Sequence, residues 1–373
     1  MTNLLNRSIP EMVMHLYKKV FKFSLHILLM YMDSKKERKD PDEKEAIPEN
    51  LFGNGEIRTD YRTGLRAVFA LSRKDRPIDY LAKEVIDDKG KEYCPFEPER
   101  YDLNRTFFEI GRPWRVRVIY NKYPLFECNA PYAREKWDIF ERSTNYGFSF
   151  VIIDSREHKL RFENSSDLQT NDLAKAVLNT EKKIYGHNGI DFVYLNKNFG
   201  RKSGGTLSHS HWQTLGYMSM PDTVRARVDR VLEFEDTHGS CLMEYAANRE
   251  SERKLLENRT LIAFAPFAQL YTGESIVMPK RHVSMLSELS TEEMAELLKA
   301  CKKIIAANNR YFGVHSYNIL GYSLKKEKEF HSYMEIVPRV SDIGPMQMAG
   351  NYGSNIIPEE YSKGIRSILG ESE

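Results

Sequence analysis

The stretches LSHSHWQTLGY, residues 207–217, and EFHSYMEIVPR, residues 329–339, decide the fold because they are two copies of one pattern. Each is a strand with special residues at alternate positions, and each closes a longer run of strand, helix, strand and polar turn. The first run opens with FSFVIIDSREH, residues 148–158, and the second with ESIVMPKRH, residues 274–282. Matching histidines in the two runs lie 122 to 124 residues apart. The near-constant spacing predicts an internally duplicated α+β unit.

Each copy also contains a predicted helix, over residues 170–185 in the first copy and over 290–309 in the second. Ser290 and Glu293 have the spacing of a capping box, which marks the start of the second helix. We therefore predict two tandem halves, the first over residues 51–220 and the second over 221–373.

Composition excludes several classes of protein. Hydrophobic residues make up 41% of the 373 residues and charged residues 29%, which is ordinary for a globular chain. Lysine and arginine number 55 against 53 acidic residues, so no strong overall charge would attract nucleic acid or a membrane. The four cysteines are too scattered for a disulfide framework, and we expect a reducing, cytoplasmic location; they are Cys94, Cys128, Cys241 and Cys301.

The first 50 residues differ from the rest, and we expect them to be an N-terminal extension and linker. Residues 12–32 are apolar, but three lysines interrupt them, so neither a membrane span nor a signal peptide is expected. An amphipathic helix that packs on the protein or binds a partner is one interpretation. Another is that natural translation starts at Met30 or Met32, and in both cases the folded body begins near Leu51.

The chemistry is concentrated in the first copy. On a strand, His209, His211 and Gln213 point to the same side. The preceding segment, residues 200–206, is rich in glycine and hydroxyl groups, which suits a phosphate-binding loop. A neutral imidazole whose second nitrogen donates to a fixed acceptor can attack phosphorus. The alternative is a pair of strand histidines that are satisfied in the wall of a barrel or that bind a metal.

The string from Asn198 through Gly200, Gly204, Thr206 and HSHWQ resembles the active-site segment of galactose-1-phosphate uridylyltransferases and related nucleotide-sugar phosphorylases of the histidine triad superfamily. The resemblance covers nearly all of residues 51–373. Further similar stretches are Glu56 to Pro77, the Cys94 segment, Val277 to Leu286 and FHSYMEIVPR. It implies an α+β fold of two tandem histidine-triad-like halves, each an antiparallel sheet with packed helices. It also implies a homodimer that acts in galactose metabolism.

The resemblance implies a role for individual residues. His211 matches the nucleophile that is nucleotidylated and then discharged onto a second phosphate, in a ping-pong reaction of nucleotide sugars with hexose 1-phosphates. Gln213 matches the amide that binds the transferred phosphoryl group. The residues that match substrate contacts are Asn198, Gly204, Thr206, Arg73 and Arg76, although the two arginines also fit a solvated turn. Two other functions stay open: an ADP-sugar or dinucleotide phosphorylase or hydrolase, and a nucleotide-binding homologue without turnover.

The family often holds a structural zinc ion, and the matching residues here are Cys94, Glu97, His158 and His209. Glu97 stands where the family has a second cysteine, and a carboxylate is also a legitimate zinc ligand. The alternative is that Cys94 packs as a small apolar residue and Glu97 is exposed.

In the second half, Cys241 and Glu244 repeat the start of this set, but Thr260 and Met285 stand where we place the next ligands. We therefore predict no metal in the second half, and we expect His282 to brace its strand turn.

The second copy also lacks the nucleophile. Tyr333 occupies the position equivalent to His211, and Glu335 that of Gln213, so one nucleophile per chain is expected. The glutamate and glutamine with which uridylyltransferases read the sugar are not recognisable in residues 344–355. That stretch is closer to the glycine-rich segment of the ADP-sugar phosphorylase branch. The sequence alone therefore decides neither the sugar nor the base.

Overall fold

The computed structural model describes residues 55–75, 90–313 and 316–370. The predicted N-terminal extension and Arg76 lie outside these ranges. Within them, no helix combines the length and the apolar character needed to cross a membrane.

The described residues form fifteen strands and six helices. The strands are β1 (Glu56–Thr59), β2 (Arg66–Phe69), β3 (Thr106–Ile110), β4 (Val116–Tyr120), β5 (Arg134–Trp137), β6 (Phe140–Ser143), β7 (Gly147–Ile153), β8 (Phe192–Phe199), β9 (His211–Tyr217), β10 (Lys254–Glu257), β11 (Leu261–Phe264), β12 (Ser275–Pro279), β13 (Tyr317–Leu324), β14 (Met334–Pro338) and β15 (Asn351–Ser354). The helices are α1 (Asp167–Tyr185), α2 (Asp222–His238), α3 (Leu242–Ala247), α4 (Thr291–Phe312), α5 (Pro345–Met348) and α6 (Pro358–Gly370).

Ten strands form one antiparallel sheet in the order β10-β11-β12-β14-β13-β8-β9-β7-β4-β3. At its centre β8 and β13 pair along eight residues, from Phe192 opposite Leu324 to Phe199 opposite Tyr317. Outward from this pair, the two sides repeat the same succession of strands, so the sheet consists of two equivalent five-stranded halves. The expected α+β fold, with an antiparallel sheet and packed helices in each half, is confirmed.

Helix α4 begins where its sequence predicts. The Ser290 hydroxyl accepts a hydrogen bond from the Glu293 amide at 3.1 Å, and the Glu293 carboxylate accepts one from the Ser290 amide at 2.8 Å. This reciprocal capping satisfies two amides that the first helical turn leaves without partners. The helix ends at Gly313, whose φ of 68° is left-handed and is easily adopted by glycine.

The two faces of the sheet have different roles. On one face, Ile152 and Trp212 pack with the apolar sides of α1 and α4 in the largest cluster of buried residues. On the other face, Val151 and Ile153 pack with Phe96 in a smaller cluster. Because successive strand residues point to opposite faces, the helix-covered core and the face that carries the histidines are separated by one layer of backbone.

A small second sheet joins the ends of the described chain. Strand β2 pairs with β1 on one edge and, in parallel, with the C-terminal strand β15 on the other. Residues 66–69, which we assigned to the first half, therefore pair with residues 351–354 of the second.

Candidate active site and metal-binding clusters

His211 is the first residue of β9 and lies opposite Ile153 of β7. Its Nδ1 lies 2.7 Å from the carbonyl oxygen of His209. A carbonyl can only accept, so Nδ1 carries the proton and Nε2 keeps its lone pair in the neutral ring. Burial, together with the positive charge of Lys197, lowers the pKa of His211 to about 4, whereas the bond to His209 acts in the opposite direction. The side chain exposes 9% of its surface. The ring is therefore neutral at physiological pH, with one nitrogen available as a nucleophile.

A buried polar network holds the start of β9 from the helix-covered face. The Lys197 ammonium donates to the His211 carbonyl at 3.1 Å and to the Ser210 hydroxyl at 2.7 Å. It also pairs at 3.3 Å with Asp154, whose carboxylate accepts a hydrogen bond from the Trp212 indole at 3.0 Å. This network was not among our predictions. The signal for it was Lys197 within a largely buried strand and Asp154 directly after the apolar run of β7.

The glycine-rich loop leads into the same strand. Gly200 has φ of 80°, and a Cβ there would lie 2.0 Å from the Ser316 hydroxyl oxygen, so no larger residue fits. Asn198 is half-buried, and its side-chain oxygen accepts a hydrogen bond from Asn318 at 2.7 Å. Gly204 and Thr206, further along the loop, are exposed.

Leu207 attaches the end of this loop to the histidine-bearing face. It packs against the cluster that contains Phe96, and the Phe96 ring lies 5.2 Å from the His211 ring. The structure therefore brings the glycine-rich loop and His211 to one side of the sheet. Gln213 follows two residues later on β9 and is half-buried.

No contact among the described residues brings the arginines that we predicted near the nucleotide to β9. Arg73 is exposed in the 3-10 turn Leu71–Asp75, and Arg76 lies outside the described residues. Their role stays a prediction.

The four residues proposed as zinc ligands come together. One potential ligand atom from each of Cys94, Glu97, His158 and His209 lies within 4.8 Å of the others, and all four residues are buried. The Glu97 carboxylate oxygen lies 2.5 Å from His158 Nδ1 and 3.2 Å from His209 Nδ1. His209 Nε2 donates to the Ser155 carbonyl at 2.9 Å, which directs the Nδ1 lone pair toward the cluster.

The donor set suits a tetrahedral metal ion. One thiol, one carboxylate and two imidazoles are the ligand types that zinc takes in closed sites. The second carboxylate oxygen of Glu97 is buried and has no hydrogen-bond partner among the described residues. An unpaired buried carboxylate oxygen is costly, and a cation would remove that cost.

The second half does contain a third and a fourth potential ligand, which corrects the premise of our prediction that no metal binds there. Cys241, Glu244, His282 and His331 also lie with their potential ligand atoms within 4.8 Å. His331 Nε2 donates to the Pro279 carbonyl at 2.9 Å, and His282 Nε2 donates to the Lys328 carbonyl at 2.9 Å. Each ring thereby presents Nδ1 to Glu244, at 3.4 Å from His282 and 3.6 Å from His331.

The prediction had placed the third and fourth ligands of this half at the wrong positions. The first half contains the β5–β6 hairpin between its cysteine and its first histidine, and the second half does not, so the spacings differ. Thr260 and Met285 were the wrong positions. The constant spacing of the histidine pairs, His158 with His282 and His209 with His331, would have identified the cluster.

The place equivalent to the nucleophile is filled by ion pairs. Arg227 donates to the Tyr333 hydroxyl at 2.6 Å and pairs with Glu335 at 2.9 Å. Arg62 pairs with Glu335 at 2.8 Å and with Glu274 at 2.6 Å. Burial raises the pKa of Glu274 to about 7. This half therefore presents charge-paired side chains where the first presents His211.

Comparison with known proteins agrees with this architecture, although no family model matches the chain. ADP-glucose phosphorylase of Arabidopsis thaliana is 26% identical over 328 residues, which cover 84% of this chain and 93% of that protein. Galactose-1-phosphate uridylyltransferase of Thermotoga maritima is 23% identical over 285 residues, covering 72% of this chain and 85% of that protein. An uncharacterized HIT-like protein of Borreliella burgdorferi is 30% identical over 110 residues, covering 28% of this chain and 78% of that protein.

Among solved structures, an ADP-glucose phosphorylase from Arabidopsis thaliana with bound ADP-glucose superposes with a TM-score of 0.72 at 23% identity. The match covers 84% of this chain and 98% of that one, and it shows the shared fold. The chain belongs to the histidine triad (HIT-like) superfamily, and over most of its length it is similar to ADP-glucose phosphorylase and galactose-1-phosphate uridylyltransferase.

Proposed function

We propose that this protein transfers a nucleotidyl group from a nucleotide sugar to a second phosphate, with His211 as the covalent carrier. The observation that carries the proposal is the hydrogen bond from His211 Nδ1 to the His209 carbonyl, which leaves Nε2 unprotonated. Two relatives match this chain over most of their own length. One is named ADP-glucose phosphorylase and the other galactose-1-phosphate uridylyltransferase.

In the first step, His211 Nε2 attacks the α-phosphorus of the nucleotide sugar. A nitrogen–phosphorus bond forms, the bond to the bridging oxygen breaks, and sugar 1-phosphate leaves with that electron pair. The positive charge on the nucleotidylated ring is stabilised by the bond from Nδ1–H to the His209 carbonyl. In the second step, a phosphate oxygen of the acceptor attacks the same phosphorus, and Nε2 leaves with its lone pair restored.

The remaining predicted residues bind the anion in this scheme. Gln213 lies two residues from the nucleophile on β9, where its amide can donate to the transferred phosphoryl group. Asn198, Gly204 and Thr206 of the loop contact the phosphates. Arg73 and Arg76 bind near the nucleotide through guanidinium groups, whose paired donors fit phosphate oxygens.

The first acceptor we propose is a hexose 1-phosphate, as in the uridylyltransferases. The second candidate is orthophosphate, which would make the protein an ADP-sugar phosphorylase. The match to ADP-glucose phosphorylase over 84% of the chain favours this second candidate, as does the missing sugar-reading pair in residues 344–355.

In this proposal both clusters hold zinc. Cys94, Glu97, His158 and His209 would bind one ion, and Cys241, Glu244, His282 and His331 the other. A bound ion would supply a rigid tetrahedral anchor. In the first cluster, that anchor fixes His209, whose carbonyl orients the His211 ring. We further propose that the protein is a cytoplasmic homodimer. Within each protomer, the two tandem halves meet near residue 220.

The test is covalent labelling of the pure protein with UDP-glucose or ADP-glucose carrying ³²P at the α-position. We expect an acid-labile protein label from at least one donor, absent in His211→Asn and present in the exposed control His238→Asn. Release of the label by galactose 1-phosphate identifies a transferase, and release by orthophosphate identifies a phosphorylase. No label from either donor in the zinc-loaded protein would contradict the proposal.

A further inference from the structure

A cavity of about 200 Å³ opens on the helix-covered face of the first half, away from His211. Its walls come from β3, β4, β7 and the C-terminal end of α1. Phe148 and Phe150 of β7 face this cavity, whereas Val151 and Ile153, further along the strand, face the histidine side. The sheet therefore lies between the cavity and His211.

Four aromatic rings form a continuous wall of the cavity. Phe107 lies 4.7 Å from Phe150 and 5.4 Å from Tyr120, measured between ring centroids. Phe148 and Phe150 are stacked with an interplanar angle of 9°. Phe148 and Phe150 are buried, whereas Phe107 and Tyr120 are half-buried. The two half-buried rings offer π-surface on which a planar nucleobase can stack.

Basic side chains border this wall. The Arg105 guanidinium lies 4.3 Å from the centroid of the Tyr120 ring, and the His187 ring lies 4.4 Å from that of Phe148. Lys183, in the last turn of α1, also lines the cavity. No residue of the lining is acidic, and within the described chain no carboxylate pairs with Arg105 or Lys183. Two positive charges that no described carboxylate neutralises, beside aromatic rings, match a ligand that is both planar and anionic.

We infer that this cavity is a second nucleotide site, which binds a nucleoside phosphate with its base on the aromatic wall and its phosphate on Arg105 and Lys183. The Arg105 guanidinium and the Lys183 ammonium donate charge-assisted hydrogen bonds to this phosphate, and such bonds are stronger than those between neutral groups. The site is independent of the proposed transfer reaction, since none of its lining residues belongs to the glycine-rich loop or to β9.

Cys128 provides a reporter inside the cavity. Its thiol lines the wall and is half-exposed, whereas Cys94 and Cys301 are buried and Cys241 belongs to the second metal cluster. A ligand in the cavity covers this thiol, and a ligand at His211 does not. Alkylation of Cys128 therefore reports on this site alone.

The experiment measures the rate at which N-ethylmaleimide modifies Cys128 in the full-length, zinc-loaded protein, by mass spectrometry of the Cys128 peptide. We expect AMP to slow the modification saturably, in the natural protein and in His211→Asn alike. Adenosine and inorganic phosphate, each carrying half of the ligand, should protect at least about tenfold more weakly than AMP. The variant Arg105→Gln/Lys183→Gln should also weaken AMP protection at least about tenfold.

The control is Lys182→Gln, which removes an exposed charge next to Lys183 but outside the cavity lining, and it should leave protection by AMP unchanged. No protection by AMP at about 10 mM would overturn the inference. So would equal protection by adenosine, undiminished protection in the double variant, or a Cys128 thiol that does not react even without ligand.

Discussion

At the residue scale, one imidazole has its tautomer set by backbone and not by a carboxylate partner. His211 donates to the His209 carbonyl, and His209 in turn donates to the Ser155 carbonyl while its other nitrogen faces the metal cluster. The orientation of the proposed nucleophile is therefore linked to the first cluster through the short backbone segment from His209 to His211.

Gln213→Ala tests the anion-binding side of the proposed site. Removing one donor to a developing phosphoryl charge should slow nucleotidylation on the order of 10²-fold. The amount of label at completion should stay the same, because His211 is intact. Rapid-quench measurement of label formation checks this, and a rate equal to that of His238→Asn would remove Gln213 from the mechanism.

Lys197→Met tests the buried network behind β9. The change leaves the Asp154 carboxylate buried without its cation, and breaking such a pair costs about 3–5 kcal/mol. Lys197→Met/Asp154→Asn removes both charges and should recover most of that loss. Urea unfolding of both variants gives the free energies, and a double variant as unstable as the single one would show that the pairing of the charges does not matter.

At the scale of helices and strands, the sequence predicted those features that depend on residues close together in the chain. The start of α4 was predictable because the Ser290 and Glu293 cap involves residues three apart. His209, in contrast, was expected on a strand, yet β9 begins only at His211. The side chain of His209 is held by the Ser155 carbonyl and the cluster, which are contacts between elements that the alternating pattern does not contain.

Helix α1 carries a pH-dependent contact with the turn Leu286–Glu288. The Glu181 carboxylate accepts a hydrogen bond from the Ser287 amide at 3.0 Å, and burial raises the pKa of Glu181 from 4.5 to about 7. The folded protein therefore holds this proton between those two pH values, whereas the unfolded chain releases it. This contribution to stability is complete below pH 4.5, is lost as the pH rises to about 7 and stays level above it.

Glu181→Gln should remove this contribution while keeping an oxygen for the Ser287 amide. The difference in unfolding free energy between pH 4.5 and pH 8 should change by up to about 3 kcal/mol, in favour of the variant at pH 8. Urea unfolding at both pH values measures it, with the exposed Glu235→Gln as control. A pH dependence identical to that of the natural protein would exclude Glu181 as its source.

At the scale of the whole molecule, duplication produced two similar halves with different chemistry. Both halves keep a Cys-Glu-His-His cluster, but only the first keeps a histidine where the second has Tyr333 in an ion-paired network. The clusters also differ in access. All four residues of the first are buried, whereas the side chains of His282 and Glu244 in the second expose 34% and 44% of their surface.

The difference in access predicts the order in which the metal ions leave. We expect two zinc ions per chain, one lost in Cys94→Ser and the other in Cys241→Ser. A chelator should remove the ion of the exposed cluster first, so that about half of the metal leaves early. Elemental analysis during dialysis against EDTA measures the zinc content and the order of release. The variant Cys241→Ser retains only the buried cluster, so early zinc release from it would contradict the assignment of the early-leaving ion to the exposed cluster.

The sequence alone determined the duplication, the helix cap and the alternation that places His211 and Gln213 on one face, and the family resemblance pointed to the four residues that the first cluster brings together. Each of these depends on residues a few positions apart or on a motif with regular spacing. Only the tertiary structure decided that His282 and His331 complete a second cluster, that Lys197 holds β9 from behind, and that a cationic aromatic cavity opens on the other face. Those contacts join residues far apart in the chain, and the number of residues between them does not determine which side chains come together in the folded protein.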